Sequence, residues 1–188
     1  MCEETKGGVV LLQKMVVLIG MPGSGKSTIG RILAQEMKVP FIDTDHLIRE
    51  REKKTLAEIQ GENGMQHFLQ IEENTLLSLD DTPKIVATGG SAVLCEHAMM
   101  YLSSVAVVVF LDVDLHMLTK RIGDPKKRGV VLGKTQTIAS LFFERRPLYL
   151  RNADIRIHLR HTRPPVVAEQ IMKKLAERGI WERSNADG

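Results

Sequence analysis

Cysteine is scarce in this sequence. Cys2 and Cys95 are the only two, and their separation matches no metal or redox spacing. Two isolated thiols exclude a disulfide framework, so a reduced, cytoplasmic compartment is expected. Long hydrophobic runs are missing as well. No apolar stretch approaches the roughly 18 residues that span a bilayer, and no membrane partner is expected. Met1-Cys2-Glu3-Glu4 is acidic and no signal-peptide core follows it, so no secretory leader is expected. Nor does either sign of charge dominate. The chain carries 26 basic and 23 acidic side chains, net +3. That balance is too mild to point to nucleic acid, and none is expected as a partner. The six histidines show no metal-ligand spacing. Internal repeats and low-complexity linkers are absent too.

What is present is an ordinary globular composition, 43% hydrophobic and 26% charged over 188 residues. That length suits one domain with a sizeable core, and a monomer is expected. Residues 1–14 read as a polar tail, 15–180 as the folded unit, and 181–188 as a second tail. Met15 to Ile19 is a short, β-branched apolar run suited to a buried parallel strand. Helical spacing of Ile29, Ile32, Leu33 and Met37 follows. Phe41-Ile42 forms a second strand, ending at Asp43-Thr44-Asp45. Helices are predicted over 45–53, 55–60 and 65–80, and a strand over Lys84 to Ala87. Val105 to Leu111 is the most apolar strand and is predicted to be the centre of the sheet. Helices near 113–122 and 136–151 flank a stretch rich in Gly, Lys and Arg at 123–135. Asp154 to Leu159 reads as an edge strand, and Pro165 to Arg178 as a closing helix with proline in its first turn. Strands alternating with helices, too far apart for hairpins, imply a parallel sheet with helices on its faces.

Gly20-Met21-Pro22-Gly23-Ser24-Gly25-Lys26-Ser27-Thr28 matches G-x-x-x-x-G-K-[ST]. Such a loop must wrap a polyphosphate with backbone N–H groups, which needs glycine wherever φ is positive or a Cβ would collide. The helix that follows presents its positive end to the phosphates. Lys26 is placed to reach the β- and γ-phosphates of ATP, and Ser27 to ligate Mg²⁺. The pattern arises by chance in under about 1% of chains this long. It also sits where a strand gives way to a helix, as the chemistry requires. On the acceptor side, Asp43 and Asp45 close the second strand at the carboxyl edge of the sheet. They suit a metal-associated or base role and a substrate-hydroxyl role; the plainer alternative makes Asp45 a helix N-cap. Gly89-Gly90-Ser91 is a second glycine site at the same edge. Arg121, Lys126, Lys127, Arg128, Arg145 and Arg146 are basic residues from which a lid over the γ-phosphate could be drawn, with 123–135 as the lid.

These motifs together resemble the shikimate kinase family, within the P-loop proteins built like nucleoside monophosphate kinases. The resemblance runs over 15–178. It rests on G-M-P-G-S-G-K-S-T-I-G, P-F-I-D-T-D, the I-E-E of residues 71–73, A-T-G-G, Arg121 with Arg128, and E-R-R-P-L-Y at 144–149. It implies a three-layer P-loop fold with a central, mostly parallel five-stranded sheet. It implies ATP-dependent transfer to the 3-hydroxyl of shikimate, in the pathway to aromatic amino acids. Catalytic roles would fall to Lys26, Asp43 and Arg128. Gly23, Ser24, Gly25, Lys26, Ser27, Thr28, Arg121 and Arg128 would hold ATP, and Ser27 and Asp43 the Mg²⁺. Asp45, Gly89, Gly90 and Arg145 would bind the acceptor, within a substrate region of about 44–80. The chain departs from the family pattern at three places. Leu69 stands where a second carboxylate-binding arginine is expected, Ser91 replaces a third glycine, and Gly129-Val130-Val131 follows Arg128 in place of Pro-Leu-Leu. The departures bear on the acceptor, so another polyhydroxy acid or sugar-like alcohol, a nucleoside monophosphate, and a non-catalytic nucleotide-binding module stay open as alternatives.

Overall fold

The computed structural model describes residues 12–123, 136–160 and 162–182. Strand β1, Met15–Ile19, is buried at every position. Its side chains are apolar on both faces because helices cover both sides of a parallel sheet. Helix α1, Lys26–Met37, turns Ile29, Leu33 and Met37 inward at the spacing anticipated from the sequence. Strand β2, Phe41–Asp43, hands over directly to α2, Thr44–Glu52.

The next helix, α3, runs over Leu56–Leu77 and begins with a reciprocal capping box between Thr55 and Glu58. It joins the two segments read as 55–60 and 65–80. Gly64 inside it has φ 79°, so the helix is broken where the apolar periodicity lapses. Strand β3 is Ile85–Ala87, and a 3₁₀ turn covers Ala92–Leu94. Helix α4, Glu96–Val105, was not foreseen. Its Ser103-Ser104-Val105 end has weak helical propensity, and it forms by burying Ala98, Met99 and Leu102.

Strand β4, Ala106–Val113, is buried throughout but is not the centre of the sheet. The order is β2-β3-β1-β4-β5, so β1 is central. β4 reads as the most apolar because it lies between β1 and β5 while helices close both its faces. Strand β5, Ile155–Leu159, alternates buried and exposed residues and lies at the edge, as expected. Helix α5 spans Leu115–Ile122, α6 Ile138–Asn152 and α7 Pro164–Glu177, with proline in the first turn of α7. All pairings are parallel, with β1 in register against β3 (Val17 opposite Val86) and β4 (Val17 opposite Val108). The carboxyl ends of β1, β2, β3 and β4 therefore share one edge.

One core cluster gathers β1, β3, β4, β5 and the inner faces of α1, α4, α6 and α7. Each fully buried Leu, Ile or Val there contributes about 1.5–3 kcal/mol. A second cluster, Ile48, Ile59 and Phe68, ties α2 to α3 away from the sheet. No helix among the described residues is long and apolar enough to cross a membrane.

Candidate active site

The loop from Gly20 to Gly25 leaves β1 and enters α1 at the shared edge. Gly20, Gly23 and Gly25 all have positive φ, and Gly25 caps α1 at φ 102°. A Cβ on Gly20 would lie 2.8 Å from the Leu111 carbonyl oxygen of β4, so only glycine fits. The loop borders a cavity of about 610 Å³ lined by residues 23–29, Lys120, Arg121, Leu159, Thr162, Pro164 and Val167. Arg121 Nη1 donates to the Ser24 carbonyl at 3.5 Å, which keeps its guanidinium at the mouth. Ser24 Oγ is fully buried with no hydrogen-bond partner. An orphaned hydroxyl inside a ring of backbone donors fits an incoming phosphate.

Lys26 is only 8% exposed, and its ammonium donates to the carbonyls of Gly20 at 2.7 Å and Met21 at 3.0 Å. Burial lowers its pKa to about 8, against the pull of Asp45, Asp43 and Glu72. The amine is thus folded back on its own loop.

Asp43, not Asp45, is the N-cap of α2, accepting from the His46 N–H at 3.2 Å. Asp45 sits in the first turn, half-buried, and burial holds its carboxyl above the ordinary range, Lys26 pulling the other way. Gly89 donates its N–H to Thr44 Oγ1 at 3.2 Å, stitching the turn after β3 to the start of α2. A Cβ at Gly89 would run into Glu72 Oε1 and lie 2.8 Å from Asp45 Oδ1; one at Gly90 would strike Pro22. The two glycines are therefore where the acceptor turn closes on both the phosphate loop and the carboxylates. Arg145, 4% exposed on α6, donates from Nη1 to the Gly90 carbonyl at 3.0 Å, and its Nε has no partner. Tyr149 Oη donates to the same carbonyl at 2.5 Å while its ring stacks on Phe110.

Lys26, Asp43, Asp45, Gly89, Gly90 and Arg145 thus converge on one crevice, and Gly23, Ser24, Gly25, Ser27, Thr28 and Arg121 line the adjoining cavity. Arg146 is turned away. It makes a two-pronged ion pair to Asp112, at 3.1 and 3.0 Å, because adjacent helical residues face about 100° apart. Lys126, Lys127, Arg128 and all of 123–135 beyond Gly123 lie outside the described residues. Glu72, Tyr149, Lys120 and the wall of Leu159, Thr162, Pro164 and Val167 were not anticipated as site residues. Tyr149 lay within a motif that pointed to Arg145, whereas the wall carries no local pattern and is assembled only by β5 and α7 folding back.

A family model described as shikimate kinase matches residues 22–176. The chain belongs to the shikimate kinase family. A shikimate kinase of Rhodococcus jostii is 37% identical over 164 residues, covering 86% of this chain and 97% of the relative. One from Thermobifida fusca is 35% identical over 167 residues, 88% of this chain and 96% of its own. Among solved structures, the shikimate kinase of Acinetobacter baumannii in complex with shikimate superposes with a TM-score of 0.81 at 26% identity, over 88% of this chain and 94% of that one. Shikimate kinases use ATP, and membership makes this chain a kinase with an alcohol acceptor. Two of the positions at which the sequence reads as departing from the family pattern can be placed in the structure. Leu69 is half-buried and packs against the main core. Ser91 Oγ bonds the buried Glu72 carboxyl at 2.6 Å.

Proposed function

We propose that this chain transfers the γ-phosphoryl group of ATP to the 3-hydroxyl of shikimate. The observation that carries the reading is the meeting of two half-sites at one sheet edge. A phosphate loop with a buried lysine faces an acceptor turn bounded by Asp45, Glu72 and Arg145, in a member of the shikimate kinase family.

In this reading the backbone of Gly23, Ser24 and Gly25, with Lys26, Ser27 and Thr28, cradles the phosphates, and Arg121 lies against the base. The donor set fits magnesium: Ser27 and Asp43 offer hard oxygens, and no cluster of three His, Cys, Asp or Glu exists among the described residues. Two protein oxygens are what a Mg²⁺ shared with substrate phosphates needs. Such an ion, when bound, neutralises charge on the β- and γ-phosphates. Arg145 holds the acceptor carboxylate, while Asp45 accepts from its hydroxyl beside the Gly89–Gly90 turn. The acceptor oxygen forms its bond to Pγ as the bond to the β-bridging oxygen breaks, releasing ADP, and the hydroxyl proton passes to a carboxylate. Burial suits Asp45 to that proton. Arg128, in the lid at 123–135, neutralises the transferring group. The substrate region is residues 44–80 of a domain covering 15–180, acting as a cytoplasmic monomer without nucleic-acid or membrane partners.

A second reading, another polyhydroxy acid as acceptor, is favoured by Leu69, an apolar side chain where the family resemblance leads one to expect a second carboxylate-binding arginine. A coupled ADP-release assay over shikimate, related polyhydroxy acids and nucleoside monophosphates decides between them. Shikimate is expected to give the highest kcat/KM, and a higher value with any other acceptor would overturn the first reading.

A further inference from the structure

Glu72 is fully buried where α3 passes behind the turn that follows β3. Its Oε2 is bonded by the Ser91 hydroxyl at 2.6 Å, and its Oε1 has no partner. Among the described residues no cation makes an ion pair with it. Leu69, one turn earlier on α3, offers only an apolar side chain, and its carbonyl is taken by Cys95 Sγ at 3.5 Å. The other groups that bear on Glu72 come from four elements: Asp45 from α2, Lys26 from α1, Arg145 and Tyr149 from α6, and Cys95 from the start of α4. None of them bonds the carboxyl. Among the described residues Ser91 is therefore the one side chain bonded to it, and Ser91 directly follows Gly90, whose carbonyl receives both Arg145 and Tyr149.

We propose that Ser91 is a positioning residue of the acceptor site: its hydroxyl clamps the Glu72 carboxyl, and the clamp holds the Gly89–Ser91 turn so that the Gly90 carbonyl aligns the Arg145 guanidinium. The geometry is a chain of contacts from α3 through the turn to α6. Its end, Arg145, is the group assigned above to the acceptor carboxylate, so the kinetic part of the inference rests on that assignment. The ionised carboxyl accepts more strongly from Ser91 than the protonated one. Burial pushes Glu72 up to about 7 and the Ser91 bond draws it down, so the clamp is firmest above neutral pH and slackens below it.

The test is a cycle of Ser91→Ala, Glu72→Gln and the double variant, each first checked by thermal melt, with Ser91→Thr retaining the hydroxyl. Ser91→Ala is expected to raise the KM for shikimate roughly tenfold, as loss of one charged hydrogen bond would. The KM for ATP should not move, and kcat should stay within about threefold. Glu72→Gln should do the same, and the double variant should be no worse than either single one, because both act through one contact. Additive losses, or an unchanged acceptor KM in Ser91→Ala, overturn the proposal. If the wild-type protein does not phosphorylate shikimate at all, the functional reading falls instead. The clamp is then read without substrate, from ¹³C NMR titration of the Glu72 carboxyl. Its midpoint should move up in Ser91→Ala and return in Ser91→Thr, and an unmoved midpoint overturns the proposal.

Discussion

Lys26 illustrates how the fold can give a residue a setting that its motif does not announce. Its place in the motif suggested a cation at the edge of a loop, yet its ammonium is buried and bonded to two carbonyls. Removing it leaves those carbonyls short of a donor, so Lys26→Met, which keeps the volume, is the cleaner variant than Lys26→Ala. Lys26→Met should lose at least about tenfold in turnover, some 1.4 kcal/mol of transition-state stabilisation, while remaining folded by circular dichroism. Turnover within that margin would remove Lys26 from the phosphate role. Leu69 is the second residue whose meaning depends on its surroundings. Leu69→Arg, introduced one helical turn before Glu72, gives that buried carboxylate a partner and the acceptor a second cation. A shikimate KM lowered by about tenfold or more is expected. A folded variant with unchanged shikimate kinetics would show that position 69 does not face the acceptor.

At the scale of elements, α6 carries Arg145, proposed above to hold the acceptor, and is pinned to the sheet by its neighbour Arg146. Asp112, 2% exposed near the end of β4, takes Arg146 from α6 and Arg156 from β5, at 2.8 Å to the Arg156 Nε. Burial alone would raise the Asp112 carboxyl, and the two guanidinium bonds outweigh it, so its pKa is lowered. A depressed folded pKa gives stability that is present above the unfolded value, near 3.9, and is lost as pH falls through the folded value. Asp112→Asn should therefore cost about 2 kcal/mol at neutral pH, discounted for the partial exposure of both arginines. The gap from wild type should close under acid, below about pH 4, in urea titrations at a series of pH values. A pH-independent gap would assign the cost to packing. The pair α2–α3 makes the opposite case. Its own buried cluster is only Ile48, Ile59 and Phe68. Amides of α2 and the first half of α3 should exchange with deuterium faster than those of β1 and β4, by the logic that few buried contacts mean low local stability.

The whole molecule offers a global reporter. The one tryptophan, Trp181, is 7% exposed in the main core, and next to it in the chain the Ile180 carbonyl accepts from the Gln13 N–H. Its fluorescence follows the sheet and the last helix together. A nucleotide that binds only the folded state stabilises it by about 2.7 kcal/mol at one hundred times Kd. For a chain of this size that is a rise in Tm of roughly 5–10 °C. The rise should appear with Mg²⁺ and an ATP analogue in the wild type and vanish in Lys26→Met. An equal rise in both would mean that the stabilisation comes from a site other than the phosphate loop.

Much of this was written locally. A nine-residue window fixes the phosphate loop, because the need for positive φ at Gly23 and Gly25 and for a lysine beside them is local chemistry. The pair Asp43 and Asp45 at a strand end, the Gly89–Gly90 turn and the edge strand β5 were legible for the same reason. Tertiary structure decided the rest. It chose β1 over the more apolar β4 as the centre, since strand order depends on crossovers and not on hydrophobicity. It carried α4 through a Ser-Ser-Val end of weak helical propensity by burying Ala98, Met99 and Leu102. It made Asp43 the cap and placed Asp45 in the first turn behind it, and it turned Arg145 to the Gly90 carbonyl and Arg146 to Asp112 from adjacent positions. It also brought Ser91 to Glu72, 19 residues apart, where two of the three departures meet: a buried carboxylate that no arginine among the described residues reaches is held by a hydroxyl. Sequence specifies a contact when the partners share a turn or a loop; when they meet only across packed elements, the fold must be in place before the chemistry can be read.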